Sequence, residues 1–258
     1  METKLNYKRT FLIGLAFLSI CSFWQMYDNI IPLILQNTYH LGETMTGAVM
    51  ALDNVLAIFL LPVFGALSDK VHTKLGRRMP FIVAGTILAV IFMMLLPMID
   101  NAEKARWNTG ESFSNQVIFL AVLFFTLVSM GLYRSPAVAL MPDVTPNHLR
   151  SRANAVINLM GAVGGVYALI MIKVLVGKGE TPDYLPLFAS IAAVMAIAVG
   201  ILVITIRENK LREEVEKAEA ANAGTIEEKA MAEGVEAAGE IEAVGDTGEV
   251  KSFDGKKQ

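Results

Sequence analysis

The sequence lacks the residue patterns on which most soluble enzymes depend. A single cysteine, Cys21, leaves no disulfide framework and no cysteine-based metal site within the chain. There is no phosphate-binding loop of the Walker type, no His-Glu-x-x-His pair and no Gly-x-Ser-x-Gly turn. The three histidines fall in separate predicted loops, which argues against a metal cluster. We therefore predict that the chain is not an enzyme and holds no metal and no cofactor.

Charged residues are also scarce, at 18%, whereas hydrophobic residues make up 54% of the chain. The mean hydropathy of +0.49 is typical of membrane proteins. Six apolar stretches are each long enough to cross a hydrocarbon core, which needs about 20 helical residues. The sequence thus predicts an all-α membrane protein with six transmembrane helices, at Phe11–Leu35, Thr46–Leu67, Met79–Ile99, Val117–Met141, Ala153–Val176 and Leu185–Ile206.

Positive charge is distributed unevenly along the chain. The net charge is −3, but residues from Glu208 onward carry −7, which leaves +4 on the membrane part. Connection 36–43 has no Lys or Arg, whereas basic residues follow the second and sixth stretches and precede the fifth, at Lys70, Lys74, Arg77, Arg78, Arg150, Arg152, Arg207, Lys210 and Arg212. Because basic loops stay in the cytoplasm, we expect a multi-pass protein of the cell (plasma) membrane with both termini cytoplasmic.

Three regions follow from these patterns. Residues 1–206 form the predicted six-helix transmembrane domain. Residues 207–222 are predicted to form a charged cytoplasmic helix, since acidic and basic residues recur at helical spacing. Residues 223–258 are rich in Ala, Gly and Glu, which predicts an acidic disordered tail. Such a tail also argues against binding of nucleic acid.

Two acids lie inside predicted membrane helices, where a charge costs about 2.5–3.5 kcal/mol even on lenient scales. Asp28 and Asp53 each lie roughly 10 Å from the outer end of their helices, by the rise of an α-helix. At matching depth the two carboxylates can share a proton or hold a cation, with Asn54 as a further oxygen ligand for Na⁺. The alternative is that each Asp bonds a neighbouring polar or basic group.

Arg134 lies in the inner half of the fourth predicted helix. Its guanidinium can bind a solute or lock an inner gate, or it can simply snorkel to the interface. Three aromatic residues, Trp24, Tyr27 and Tyr133, lie in the first and fourth helices and are candidates to bind a solute. Sugars stack their C–H faces on such rings, but aromatic side chains also serve for packing and anchoring.

Two loops carry a resemblance to a known family. One reads Gly65-Ala-Leu-Ser-Asp69-Lys, followed after a short insertion by Gly76-Arg77-Arg78; the other reads Arg134-Ser-Pro136 through Asp143-Val-Thr-Pro146, and then Arg150-Ser-Arg-Ala153-Asn154. From about Tyr7 to Ile206 the chain resembles the major facilitator superfamily of transporters. The form of the loops is similar to that of sucrose:proton symporter-like proteins and their relatives, the glycoside–pentoside–hexuronide:cation symporters.

The resemblance implies the fold and a mechanism. The fold is one half of a facilitator, a three-plus-three inverted repeat, of which Met26-Tyr27-Asp28 and Leu132-Tyr133-Arg134 preserve a weak echo. The function is secondary active transport of a sugar or related small solute, coupled to H⁺ or Na⁺, with Asp28 and Asp53 in places comparable to the coupling acids.

The same resemblance assigns the two loops a conformational role. Asp143 is expected to pair with Arg77 or Arg78 as a latch that opens during the transport cycle, which is compatible with a purely topological role for the two arginines. Gly65 and Gly76 belong to the same loop signature. Asp69 is expected to face a helix of the other half.

The family has two six-helix halves with the solute site between them, and this sequence contains one. Besides the lipid bilayer and a sugar, the expected partner is therefore a second six-helix half or a second copy, unless the chain is a truncated product. The alternative function is a non-transporting scaffold or regulatory half that associates with a complete carrier.

Overall fold

The computed structural model describes residues 5–107, 115–177, 179 and 182–220. The regular elements within these residues are all helices, and none of the described segments is a strand. The helices are α1 Tyr7–Asn37, α2 Glu43–Met50, α3 Leu52–Lys70, α4 Met79–Trp107, α5 Gln116–Asp143, α6 Arg150–Leu175 and α7 Leu185–Thr205, with a 3₁₀ turn at Asn147–Leu149 before α6. Six candidate membrane spans result, because α2 and α3 together make one span, Glu43–Lys70. The predicted all-α, six-span fold is confirmed.

Two predicted boundaries differ from the structure. The second span is interrupted at Ala51, and α4 continues to Trp107, well past the predicted end at Ile99. The reason for the extension lies in the last turns of α4, where polar groups satisfy one another. Asp100 is fully buried and accepts hydrogen bonds from Thr38 Oγ1 (2.6 Å) and Lys104 Nζ (2.6 Å). The helix therefore does not end where its apolar stretch ends.

The bundle has two distinct ends. At the basic end lie the start of α1, the loop 71–78, the turn 144–149 and the chain beyond α7; contacts such as Arg77–Asp143 and Arg9–Glu214 join them. At the far end lie the connections 38–42 and 176–184, where Lys104 donates to the Pro182 carbonyl (2.6 Å). The cytoplasmic location of the basic end stays a prediction.

The packing of the spans has an internal symmetry. Helix α1 packs along α6 as α5 packs along α3, and α4 packs along α5 as α7 packs along α1. When the first three spans are exchanged with the last three in order, the α1–α6 pair becomes the α5–α3 pair and the α4–α5 pair becomes the α7–α1 pair. An inverted repeat requires this correspondence. Close approach depends on glycine at two positions. A Cβ on Gly164 of α6 would overlap the backbone of Leu18, and one on Gly85 of α4 would lie 2.6 Å from the Tyr133 nitrogen.

Burial is very uneven among the spans. Helix α1 is the most buried, with 56% of its apolar window inside the structure, whereas none of the window in the α2–α3 span is buried. Large apolar side chains of α3, including Ile58 and Phe59, are exposed. A membrane helix is covered by lipid or by another protein, so this span is the one most available to a neighbour.

Beyond α7 the chain is helical again over 208–220, close to the charged helix predicted for 207–222. The described residues divide into two units after Val215, and only residues 216–220 of the second unit are described, as helix. Leu211 and Val215 of the first unit are buried. Residues 223–258, for which we predicted disorder, lie outside the described residues.

Candidate functional site

Polar side chains line two adjoining cavities between the spans. A groove of about 420 Å³ runs between α1 and α6, and its polar lining includes Cys21, Gln25, Asp28 and Asn158. A smaller pocket of about 20 Å³, room for a single water, lies between α1, α3 and α5 and is lined by Asp53 and Arg134 among others. Trp24 lines both cavities. We call the set Trp24, Gln25, Asp28, Asp53 and Arg134 the polar face.

The two acids of the polar face differ in their partners. The Asp28 carboxylate is exposed and has no hydrogen bond or ion pair within the described part of the chain. One oxygen of Asp53 accepts hydrogen bonds from the Asn54 backbone nitrogen (2.7 Å) and side-chain amide (2.9 Å). The two carboxylates act on each other electrostatically without a hydrogen bond between them. Asn54 thus bonds Asp53 through its donor nitrogen, and its predicted role as an oxygen ligand for a cation stays a prediction.

Tyr27 lies in the core rather than on the groove surface. Its ring is 1% exposed and packs against Phe23 and Trp24, with centroids 6.0 Å and 5.4 Å apart. Its hydroxyl and the Trp24 indole nitrogen are buried without a hydrogen-bond partner among the described residues. An unpaired buried donor costs about 1–3 kcal/mol, so both atoms are well suited to a water, a solute or an ion.

Arg134 lies over an aromatic ring. Its guanidinium carbon is 5.5 Å from the centroid of the Trp24 ring, in cation–π range, and no carboxylate pairs with it in the part of the chain that the structure describes. Arg134 thus lies beside the pocket of Asp53, and its role in binding a solute stays a prediction. Arg134 and Asp53 line the same small pocket without an ion pair between them, and Trp24 joins this pocket to the groove that Asp28 lines.

The structure corrects the assignment of Tyr133 as a solute-binding residue. Its side chain is fully buried, and its hydroxyl is bonded to Ser19 Oγ (2.7 Å) and to the Ala16 carbonyl (3.1 Å). Both partners belong to α1, so the residue joins α5 to α1. A phenol with no exposed surface and a satisfied hydroxyl cannot present its ring to a sugar.

A dense ionic cluster occupies the basic end. Asp143, at the end of α5, accepts from Arg77 Nη2 (2.8 Å) and from Arg78 Nε (3.0 Å). The same Arg78 side chain donates to Ser68 Oγ (2.6 Å) and to the Gly65 carbonyl (3.3 Å). The ion pair expected for Asp143 is therefore present with both arginines. We call the set Asp69, Arg77, Arg78, Asp143 and Glu208 the basic-end cluster.

Asp69 has partners within this chain. Its Oδ1 pairs with Arg78 Nη2 (2.6 Å) and lies 3.6 Å from Arg77 Nη1, and the expectation that Asp69 also faces a helix of another half stays a prediction. The loop turns back on the end of α3, which brings the arginines within reach. Its side chain remains 48% exposed, so it keeps a free surface beyond these pairs.

Glu208 is a member of the cluster that the sequence analysis missed. Its carboxylate, 1% exposed, accepts from the backbone nitrogens of Arg77 (2.8 Å), Arg78 (3.0 Å) and Met79 (3.0 Å). These are the N–H groups that begin α4 and have no acceptor within the helix. The available signal was its place directly after the last apolar stretch, but the acidic residues that follow made it look like part of a solvated segment.

The surroundings of Arg77 show the electrostatic balance of the cluster. Partial burial by itself lowers the pKa of the Arg77 guanidinium. The hydrogen bond to Asp143 and the charges of Asp143, Asp69 and Glu208 outweigh that effect and raise its pKa above the ordinary value. The Arg77 guanidinium is therefore held firmly in its charged form.

A family comparison and three relatives place the chain among known proteins. The family model for the Major Facilitator Superfamily matches residues 7–241. The chain is 35% identical over 116 residues to sucrose transport protein SUC4 of Arabidopsis thaliana, covering 42% of this chain and 22% of that protein. It is 26% identical over 137 residues to sucrose transport protein SUT3 of Oryza sativa subsp. japonica, covering 50% and 27%. It is 27% identical over 120 residues to sucrose transport protein SUC3 of Arabidopsis thaliana, covering 43% of this chain and 20% of that protein.

The matched segments span between 20% and 27% of the length of these relatives. The family model, in contrast, covers most of this chain. The resemblance stated from the two loops is confirmed, and so is the prediction that the chain is not an enzyme, since the family is one of transporters. The protein belongs to the Major Facilitator Superfamily.

Proposed function

We propose that this chain supplies one half of a carrier that moves a sugar, or a related small solute, across the cell membrane together with H⁺ or Na⁺. The observation that carries the proposal is the polar face. Within the described residues it holds an exposed acid without a partner, an arginine without a carboxylate and the unpaired indole nitrogen of Trp24, and the unpaired hydroxyl of Tyr27 is buried beside it. The relatives named as sucrose transport proteins support a sugar as the solute.

Each member of the polar face has a chemical role in this proposal. The Trp24 ring offers a flat apolar surface for the C–H face of a sugar, and Arg134 beside it donates to hydroxyl groups. Asp28 and Asp53 bind the coupling ion, because like charges at short range favour uptake of a proton or a cation. The basic end faces the cytoplasm, and the pairs of Asp143 with Arg77 and Arg78 act as the latch that opens when the carrier changes state.

The proposal also includes a second six-helix unit, encoded in the same chain, in another chain or by a second copy. Asp28, Asn29, Asn54 and Asn158 are exposed on membrane spans. Polar side chains in a bilayer face protein or a water-filled cavity rather than lipid. A unit covering α1, α3 and α6 would enclose the groove and complete the site.

Uptake into vesicles tests the function. The chain, alone and co-expressed with candidate second units, is placed in membrane vesicles, and entry of labelled sucrose and other sugars is measured with and without an imposed H⁺ or Na⁺ gradient. We expect gradient-driven uptake that Asp28→Asn abolishes and that Glu43→Gln, which removes an exposed carboxylate at the far end, leaves intact.

Cys21 gives an independent measurement, since it lines the groove and no other cysteine exists. The transported sugar should slow its reaction with a membrane-impermeant thiol reagent. Absence of uptake under every pairing, with Asp28→Asn silent and no protection of Cys21, would contradict the transport proposal and favour a scaffold or regulatory half.

A further inference from the structure

The basic-end cluster contains a carboxylate that takes no part in the ion pairs. Asp143 and Asp69 contact the guanidinium groups of the two arginines, whereas Glu208 contacts their backbone. It is supplied by the chain that leaves the bundle after α7, far along the sequence from the loop it holds. Its side chain is among the least exposed of the charged groups.

The loop is shaped to receive this carboxylate. Gly76, directly before the two arginines, has φ +126°, a conformation that L side chains rarely adopt. A Cβ at this position would overlap the carboxylate of Glu208. Glycine is therefore required for two reasons, the backbone conformation and the space that Glu208 occupies. Its place in the family-like loop signature thus has a physical explanation within this chain.

A second contact holds the same segment to the loop. The Asn209 side-chain amide donates to the carbonyl of Thr73 (3.0 Å) and, more weakly, to that of Lys74 (3.3 Å). Glu208 and Asn209 thereby bind both sides of the turn that Thr73 and Gly76 close with two backbone hydrogen bonds. The turn is held as a unit against the start of α4.

From this geometry we infer that Glu208 is the positioning residue of the latch: by holding the backbone of Arg77 and Arg78, it directs both guanidinium groups to Asp143. The inference rests on the proposed function in one respect, that the ion pairs of Asp143 open and close during transport. The contacts of Glu208 themselves lie within this chain. A carboxylate at a helix N-terminus is stabilised by the N–H groups and the helix dipole. Movement of the segment 207–215 is thereby transmitted to the arginines through their backbone.

A double-mutant cycle on the full chain in detergent tests the inference. Asp143→Asn is measured by thermal unfolding in the native background and again with Glu208→Gln, which removes the charge and replaces one acceptor oxygen by a donor. If Glu208 positions the arginines, the destabilisation caused by Asp143→Asn falls by about half or more in the second background. Additive effects would show that Glu208 only caps α4 and would overturn the inference.

Hydrogen exchange supplies the second measurement. Loss of a charged acceptor should speed exchange of the Arg77, Arg78 and Met79 amides roughly tenfold or more. Glu214→Gln is the matched control, because Glu214 lies in the same segment, is 61% exposed and, among the described residues, has an ion pair with Arg9 alone (3.4 Å). It should leave both exchange and the cycle unchanged. Unchanged exchange in Glu208→Gln would also overturn the inference.

If Glu208→Gln does not yield folded protein, Glu208→Asp replaces it in both measurements, since its shorter carboxylate keeps the charge but loses reach. Neither readout depends on sugar uptake. Additivity would therefore refute the positioning role while leaving the transport proposal intact, and absence of uptake would refute the transport proposal without altering the cycle.

Discussion

The polar face and the basic-end cluster both contain aspartate and arginine. In the cluster these side chains form ion pairs, whereas no ion pair joins them on the polar face within the described residues. In the basic-end cluster, Asp69, Asp143 and Glu208 each contact groups of Arg77 and Arg78. On the polar face, Asp28 has no partner within the described residues, and Arg134 contacts a ring instead of a carboxylate. A fully hydrogen-bonded network stabilises one arrangement of helices, whereas polar side chains without partners remain able to bind a solute or an ion.

The largest expected difference between the regions concerns their arginines. Arg78→Ala should lower the free energy of unfolding by about 3–5 kcal/mol, because it removes a buried partner from Asp143 and Asp69 together with the bond to Ser68. Arg134→Ala should cost only about 1 kcal/mol, since it loses a cation–π contact. Thermal unfolding in one detergent compares the two variants. Equal losses of unfolding free energy would mean that Arg134 contributes as much to stability as Arg78 does.

An intermediate effect is expected where α1 meets α6 along the groove. Gly164→Ala forces the two helices apart, because its Cβ meets the Leu18 backbone, and should cost about 1–3 kcal/mol. The matched control is Gly165→Ala, whose Cβ would lie 3.7 Å from Gln25 Oε1 in ordinary contact. Unfolding temperatures and the reaction rate of Cys21 should change for the first variant only. A similar loss for both would argue that the helices are loosely packed here.

The smallest effect on stability is expected at Asp28. Because this carboxylate has no partner in the described structure, Asp28→Asn should leave the free energy of unfolding within about 0.5 kcal/mol of the original value or raise it. Asp143→Asn should lower it by about 2 kcal/mol or more through loss of two charge-assisted bonds. A marked destabilisation by Asp28→Asn, measured by the same unfolding assay, would reveal a structural partner and remove the contrast between the regions.

Local pattern was sufficient for much of the fold. Apolar length located all six spans, because crossing a membrane imposes a minimum helix length on any sequence. It was less informative at helix ends, where Asp100 and Lys104 extend α4 by bonding each other and the neighbouring elements. The resemblance of the two loops to a known family implied the pairing of Asp143 with Arg77 or Arg78, and both contacts are present.

The candidate site was harder to predict at the level of single residues. Tyr27 and Tyr133 occupy corresponding places in the two repeats, yet Tyr27 has an unpaired hydroxyl and Tyr133 a satisfied one. Whether a hydroxyl meets Ser19 depends on how α5 is rotated against α1, which no single-helix pattern specifies. The pairs of Asp69 with Arg77 and Arg78 were not predicted, for a related reason, because the path of the loop back toward α3 depends on Gly76 and on Glu208.

The sequence by itself determined the number of spans, the location of the basic residues and the family, because these depend on composition and on short continuous motifs. Tertiary structure decided the remaining pairings of charged and polar groups. It brought Glu208 onto the start of α4, buried Tyr133 and left Asp28 exposed beside the groove. The physical reason is that hydrogen bonds and ion pairs act over a few ångströms, so partners far apart in sequence meet only after the helices have packed.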